Sequence, residues 1–293
     1  MKNAFTIILF LLGFCFKSSS LRLSMSSITV IGANGKTGSK IVKLAVKKGW
    51  KTTAVTRSGV YQKDEWNPKL TLTNNVAADI TKNDEVLKSA IKASKACVFA
   101  ASASKEGGNP QQIDKNGLIK IAKLCIELKV PRLVIISSGA VSKPFSPVYL
   151  FLNLFGGIMK AKIEGENEVR RLYASDEAIS KKLSYTIIRP GGLTEDEPRG
   201  VEAVELNQGD DRSGRISRWD VAAVAVECIT SKDAAGATLE CYYSDTSQPL
   251  ANVGLSNILK RTSKDSERVL TGRERRGRNW IEIFKGLSSD INK

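Results

Sequence analysis

The stretch from Ile28 to Gly38, ITVIGANGKTG, decides the fold. Four β-branched residues, Ile28 to Ile31, run directly into Gly32-Ala33-Asn34-Gly35-Lys36-Thr37-Gly38, and a helical pattern follows. A strand that breaks on glycines and then opens a helix has the form of a phosphate-binding turn in a dinucleotide fold. Gly32 permits the tight turn, Gly35 lets the backbone approach a pyrophosphate, and Gly38 lets the helix pack on the strand. Asn34, Lys36 and Thr37 complete the expected contacts, because the free N–H groups and positive dipole of a helix start face an anion.

Outward from this turn, strand and helix patterns alternate, which predicts an α/β fold: a Rossmann-like, doubly wound parallel sheet with helices on both faces. Strands are expected at 28–33, 51–57, 76–80, 96–102, 133–137, 184–189 and 238–243. Amphipathic helices are expected at 38–48 and 83–93, with one long helix over 111–129. The segment 147–174 begins very apolar, becomes charged, and should break at Gly156-Gly157. Residues 195–213 are acidic and turn-rich and read as a flap over a cleft. Ser217-Arg218-Trp219-Asp220 has the form of a capping box opening a helix over 221–229. The expected domain division is a presequence at 1–25, the nucleotide-binding domain at 26–244 and a basic extension at 245–293.

The chain has 293 residues, a net charge of +15 and no histidine. The missing histidine excludes a Ser-His-Asp triad, a Cys-His pair and histidine-ligated zinc, and no metal site is expected. Acid–base work would fall to Tyr, Lys, Ser, Asp, Glu or Cys. Cys15, Cys97, Cys125, Cys228 and Cys241 form no C-x-x-C pair and read as free thiols, four of them in apolar strand or helix patterns.

The first residues read as a targeting segment. Lys2 precedes an apolar run, Ala4 to Phe16, too short to span a bilayer, and Ser18-Ser19-Ser20 offers small residues for cleavage. Leu21 to Ser26 is then hydroxylated and basic, with no acid. The combination resembles the bipartite presequences of secondary plastids, with plain secretion or an N-terminal anchor as the alternative. Removing 1–25 takes away Lys2, Lys17 and Arg22 and leaves +12.

Nucleotide preference is set after the second strand. An NAD enzyme usually carries Asp or Glu there, to hold the ribose 2′-hydroxyl. This chain has Thr56-Arg57-Ser58, and arginine offers a fork to a 2′-phosphate. NADP(H) is therefore favoured, with NAD as the alternative. Asp79 stands where such folds hold the adenine, or else it caps the next helix. Ala100, Ala101 and Ser102 end the fourth strand with side chains small enough to leave room for the ribose.

The stretches IGANGKTG, AVTRS, AADIT, VPRLVIISSGAV, VYLFLNLFGGIMKAKIEGE, YTIIRPGGLTEDEP and GRISRWDVAAVAVE lie within Ile28 to Tyr243. On them the chain resembles the atypical short-chain dehydrogenase/reductases of the NmrA-like, plastid-translocon-associated NADPH-binding type, related to the biliverdin/flavin reductases. The G-x-x-G-x-x-G spacing of the turn is the form used by extended and atypical members. The resemblance implies that Ser137 and Ser138 match the catalytic serine position, with Ser137 the candidate, and that Lys162 stands at the ribose-binding lysine. It also implies that Pro190, Gly191 and Gly192 wall the nicotinamide. The catalytic pattern Y-x-x-x-K is broken, however, since Ile158 stands four residues before Lys162. Two functions follow. One is a reductase of a flavin, quinone or tetrapyrrole that needs no tyrosine. The other is a non-enzymatic NADPH-binding scaffold or sensor, with the basic extension as a surface for a protein partner. Nucleic-acid binding is disfavoured, because no aromatics interleave the basic residues.

Overall fold

The computed structural model describes residues 27–61, 73–82, 84–103, 108–253 and 271–290. The expected presequence with Cys15, and residues 254–270 of the expected basic extension, lie outside them. Eight strands form one sheet in the order β3-β2-β1-β4-β5-β6-β11-β8. They are β1 (Ser27–Ile31), β2 (Lys51–Thr56), β3 (Thr73–Ala77), β4 (Ala96–Phe99), β5 (Arg132–Ile136), β6 (Ser184–Pro190), β8 (Val204–Asn207) and β11 (Ala237–Tyr243); outside this sheet β7 (Gly192–Thr194) pairs with β10 (Arg215–Ser217), and β9 (Arg212–Ser213) with β12 (Gln248–Pro249). All neighbours pair in parallel except β11 and β8. The order reverses between β1 and β4, which opens a crevice at the carboxyl ends of those strands.

Side chains alternate across the sheet with period two and divide the core. Ile28 and Val30 face α1 (Gly38–Lys47) and α7 (Arg218–Cys228) in one layer. Ile31, Cys97 and Leu133 face α2 (Asp84–Ile91), α3 (Leu118–Glu127), α5 (Ile158–Tyr173) and the short α6 (Asp176–Ser180) in the other. Cys97, Cys125, Cys228 and Cys241 are buried free thiols, as expected. The short α8 (Trp280–Phe284) sets Ile283 and Phe284 into the first layer. Packing of the described residues therefore continues past 244.

Several expectations need correction. The third strand lies at 73–77 rather than 76–80, because parallel pairing with β2 sets Thr73 opposite Thr52. As an edge strand it tolerates Asn74 and Asn75, whose polarity hides it. The long helix is not uniform: Gln111–Gly117 is π-helical before α3 begins. The acidic flap contains β8, which closes the sheet by pairing antiparallel with β11. The break at Gly156-Gly157 is found, both residues having positive φ, and it separates α4 (Pro147–Asn153) from α5. Ser217 caps α7 by accepting from Trp219 N. Asp220 does not close the capping box. It accepts from Arg199 N, Gly200 N and the Tyr243 hydroxyl.

Candidate functional site

The glycine turn sits at the carboxyl end of β1. Gly32 has φ +81°, and a Cβ there would stand 2.7 Å from Ala101 N. A Cβ on Gly38 would fall onto the Gly32 carbonyl oxygen. Both positions therefore require glycine, for conformation at one and close packing of helix on strand at the other. The turn lies against the end of β4, so Gly32 and Gly35 meet Ala100 and Ala101. Asn34, Gly35 and Lys36 are exposed, and Thr37 is nearly covered.

Arg57 and Ser58 are exposed just beyond β2. Ala78 N donates to Thr56 O and ties the start of the following turn to the end of β2. Asp79 accepts from the Thr81 N–H and hydroxyl. These bonds, the hydroxyl foremost, hold its carboxyl below the usual range.

The end of β4 leads to a second cluster. Asp114, in the π-helical segment, is fully enclosed and accepts from Ser102 Oγ at 2.7 Å and Ala103 N at 2.9 Å. Its third donor is Lys162 Nζ, at 2.7 Å. The approach of α5 depends on Gly165, since a Cβ there would stand 2.8 Å from the Asp114 carbonyl oxygen. One helical turn past Lys162, Glu166 is also wholly buried. It accepts from Ser137 Oγ at 2.5 Å, from Arg189 at 2.6 and 3.3 Å, and from Arg170 at 3.0 Å. Burial alone would raise the Glu166 carboxyl, but Arg189 and then Arg170 outweigh it and hold it below its ordinary value. Glu166 is therefore an acceptor only. Ser137 must donate to it, and its lone pairs alone remain for any other group.

Ser137 N donates to Ile188 O, and Gly139 N to Pro190 O. Ser137 thus follows β5 next to the carboxyl end of β6, and the loop after it reaches Pro190 through Gly139, with Gly191 and Gly192 just beyond. The loop after β5 is pinned by Asp210, which accepts from Ala140 N and from Ser142 N and Oγ. Ile158 starts α5, and no tyrosine shares its turn. Tyr149 lies on α4, buried in a small cluster with Ala140, Val141, Met159 and Leu250 against which Ile158 packs.

The structure thus brings Gly32, Gly35, Ala100, Ala101, Ser102 and Lys162 into one connected edge, with Ser137 and Pro190 to Gly192 continuing it. Arg57 and Asp79 stand on its far side, beyond the turn. Sequence reasoning missed Asp114 and Glu166. The Lys162 to Glu166 spacing puts both on one helical face, but nothing local marks that face as buried.

Among known proteins, the NAD(P)H-binding family matches residues 32–232. That is more than half of the chain, and the chain belongs to this family. An uncharacterized chloroplastic protein of Arabidopsis thaliana is 30% identical over 223 residues, covering 73% of this chain and 75% of its own. Protein TIC 62, chloroplastic, from the same plant is 25% identical over 215 residues, covering 67% of this chain and only 32% of its own. The anaerobillin reductase ChuY of Escherichia coli O157:H7 superposes with a TM-score of 0.56 at 17% identity, covering 75% of this chain and 98% of its own. At that identity the likeness shows the Rossmann-like fold alone.

Proposed function

We propose that this protein binds NADP(H) along the edge described above and transfers hydride to a flat conjugated acceptor without a tyrosine acid. One observation carries the proposal. Lys162 and Ser137 are each locked to a buried carboxylate at the carboxyl edge of the sheet, while position 158 holds isoleucine. The residues fit a dinucleotide: Gly32 and Gly38 admit no Cβ, Gly35 is open, and the sheet order reverses at this point. Arg57 supports preference for a 2′-phosphate, with NAD as the weaker ligand.

When bound, the nicotinamide supplies a hydride, two electrons with one proton, to the acceptor. Lys162, steadied by Asp114, offers its remaining N–H donors to the nicotinamide ribose. Ser137, its own proton committed to Glu166, accepts from an N–H such as the carboxamide. Pro190, Gly191 and Gly192 wall the ring. With the Ser137 proton committed to Glu166 and isoleucine at 158, the described residues place no tyrosine or serine proton donor beside Lys162. The proton that balances the reduction comes from water, which suits a flavin, quinone or tetrapyrrole.

A second reading is an NADPH-binding scaffold, favoured by that same lack of an acid. In it the nucleotide stabilises a fold that holds a protein partner, and exposed basic residues of the extension such as Arg273 and Arg278 supply charge. A plastid address through residues 1–25 belongs to the same proposal, with the nucleotide-binding domain beginning at 26 and the expected boundary at 244 replaced by one that takes in Ile283 and Phe284, which pack into its core. The chloroplastic relatives support the plastid. The test is NADPH oxidation against a panel of flavins, quinones and tetrapyrroles, run beside nucleotide titration. Turnover with one of the three classes supports the reductase. Tight binding without turnover selects the scaffold.

A further inference from the structure

Three cations from three elements converge on one carboxylate at the mouth of the phosphate turn. Glu195 follows β7 (Gly192–Thr194) at the start of the flap. Its Oε1 accepts from Arg218 Nε at 2.7 Å and lies 3.8 Å from Lys36 Nζ, and its Oε2 accepts from Lys40 Nζ at 3.3 Å. Lys36 belongs to the glycine turn, Lys40 to the first turn of α1 and Arg218 to the first turn of α7. Arg218 reaches the glycine turn itself, Nη1 donating to Thr37 Oγ1 at 3.4 Å. Lys40 and Arg218 are largely enclosed, with side chains 16% and 20% exposed. The Lys40 ammonium lies 5.4 Å from the centre of the Trp219 ring.

One negative charge against three positive leaves a surplus of two, at the end of α1 where the helix dipole is also positive. A dinucleotide's diphosphate carries two negative charges and has to lie at this same helix start. It would meet Glu195 as a like charge within a few ångströms. We propose that Glu195 is a built-in competitor for the diphosphate: Lys36, Lys40 and Arg218 form the anion site, and the Glu195 side chain must swing out for a diphosphate to take its place. The proposal rests on residues 32–38 being the phosphate turn. The flap backbone need not move. The Asp196 carbonyl is held by Ser217 Oγ at 2.5 Å, and Arg199 N is held by Asp220 at 2.7 Å. The exchange is a rotation of one half-exposed side chain, and it tunes affinity rather than opening a lid.

The sign of the effect is unusual, because removing a contact at this site should tighten binding. NADPH is titrated calorimetrically into the full chain, into Glu195→Gln and into the double variant Glu195→Gln/Arg218→Gln. The single variant should bind NADPH roughly threefold or more tightly than wild type, within the scale of exposed ion pairs. The gain should shrink as salt is raised, and the double variant should lose it. Equal or weaker binding by Glu195→Gln, with an unchanged melting temperature, would overturn the competitor. If the wild type binds neither NADPH nor NADH, the phosphate turn itself is misassigned, an outcome distinct from a wild type that binds and a variant that fails to improve.

Discussion

Lys162 donates from Nζ to Asp114 Oδ1 across 2.7 Å, and the Asp114 side chain is completely enclosed. Asp114 takes two further bonds, from Ser102 Oγ and Ala103 N, so it fixes the end of β4 and the lysine together. Removing the carboxylate leaves three donors facing a cavity. Asp114→Ala should destabilise the fold by about 3–5 kcal/mol, the range for breaking a buried pair, read by urea denaturation. Lys162→Ala should weaken NADPH by roughly 1–3 kcal/mol, in the reductase and the scaffold alike. Unaltered NADPH affinity in Lys162→Ala would make the lysine only a partner of Asp114.

Nucleotide preference should turn on Arg57. The residue is exposed beyond β2, with Ser58 beside it and Asp79 close enough to feel its charge. Arg57→Asp replaces the fork for a 2′-phosphate by a carboxylate that repels the phosphate and accepts from a ribose hydroxyl. NADPH affinity should fall and NADH affinity should hold or rise, both read by titration. An equal change for the two nucleotides sinks the 2′-phosphate role.

The turn and the chain's main alternation could be read from sequence because their causes are local. Glycines 32, 35 and 38 stand within one turn, and β-branched residues mark β1 without help from elsewhere. The carboxylate anchors could not be read in this way. Asp114 and Lys162 are 48 positions apart, and Ser137 and Glu166 are 29 apart. Both pairs form only once α5 has settled against the π-helical segment through Gly165. The third strand falls earlier than the sequence pattern predicts for a related reason: Asn74 and Asn75 read as loop residues until pairing with β2 makes them a strand edge. β8 escaped because its four residues sit inside an acidic stretch, and Glu205 within it is buried against Arg276.

Stability should fall as the medium becomes alkaline, through Glu240. This side chain is buried near Arg189, whose Nη1 is 3.6 Å from Glu240 Oε1 and 3.6 Å from Asp210 Oδ2. Burial, and then the like charge of Asp210, push the Glu240 carboxyl up to about 8, from an ordinary 4.5. Between those values the folded chain holds a proton that the unfolded chain has lost. The contribution is therefore full below the ordinary value and disappears as pH rises through about 8. Glu205, raised chiefly by burial, acts in the same direction. Glu240→Gln mimics the protonated acid and should flatten this slope. Its melting temperature should match wild type near about pH 5 and exceed it near about pH 9. A wild type whose stability is level over that range contradicts the proton on Glu240.

The glycine turn gives a contrast between two neighbours. A Cβ at Gly38 would collide with the Gly32 carbonyl, so Gly38→Ala should lower the melting temperature and the nucleotide affinity together. Gly35 is exposed, and a Cβ there would meet only Gly32 O at 3.1 Å and Ala100 O at 3.8 Å. Gly35→Val should leave circular dichroism close to wild type while the added side chain fills the space a pyrophosphate needs. Unchanged affinity in Gly35→Val would mean that phosphates lie elsewhere.

The last prediction concerns Ile158, which stands where the resemblance to short-chain reductases would put a tyrosine. Ile158 opens α5 one turn before Lys162, beside the small apolar cluster of Tyr149 and Met159. If water supplies the proton, a phenol at this position adds nothing to a reaction that builds no alkoxide. Ile158→Tyr should then leave flavin, quinone or tetrapyrrole turnover nearly unchanged. For a simple ketone or aldehyde the same variant should create turnover where wild type has none, because Lys162 lies one turn away to lower the phenol's pKa. Both are read as NADPH oxidation with the two substrate classes side by side. A scaffold shows no turnover in either protein. A wild type that already reduces simple carbonyls would show that a proton donor other than tyrosine serves the site, and the water-supplied proton would have to be abandoned.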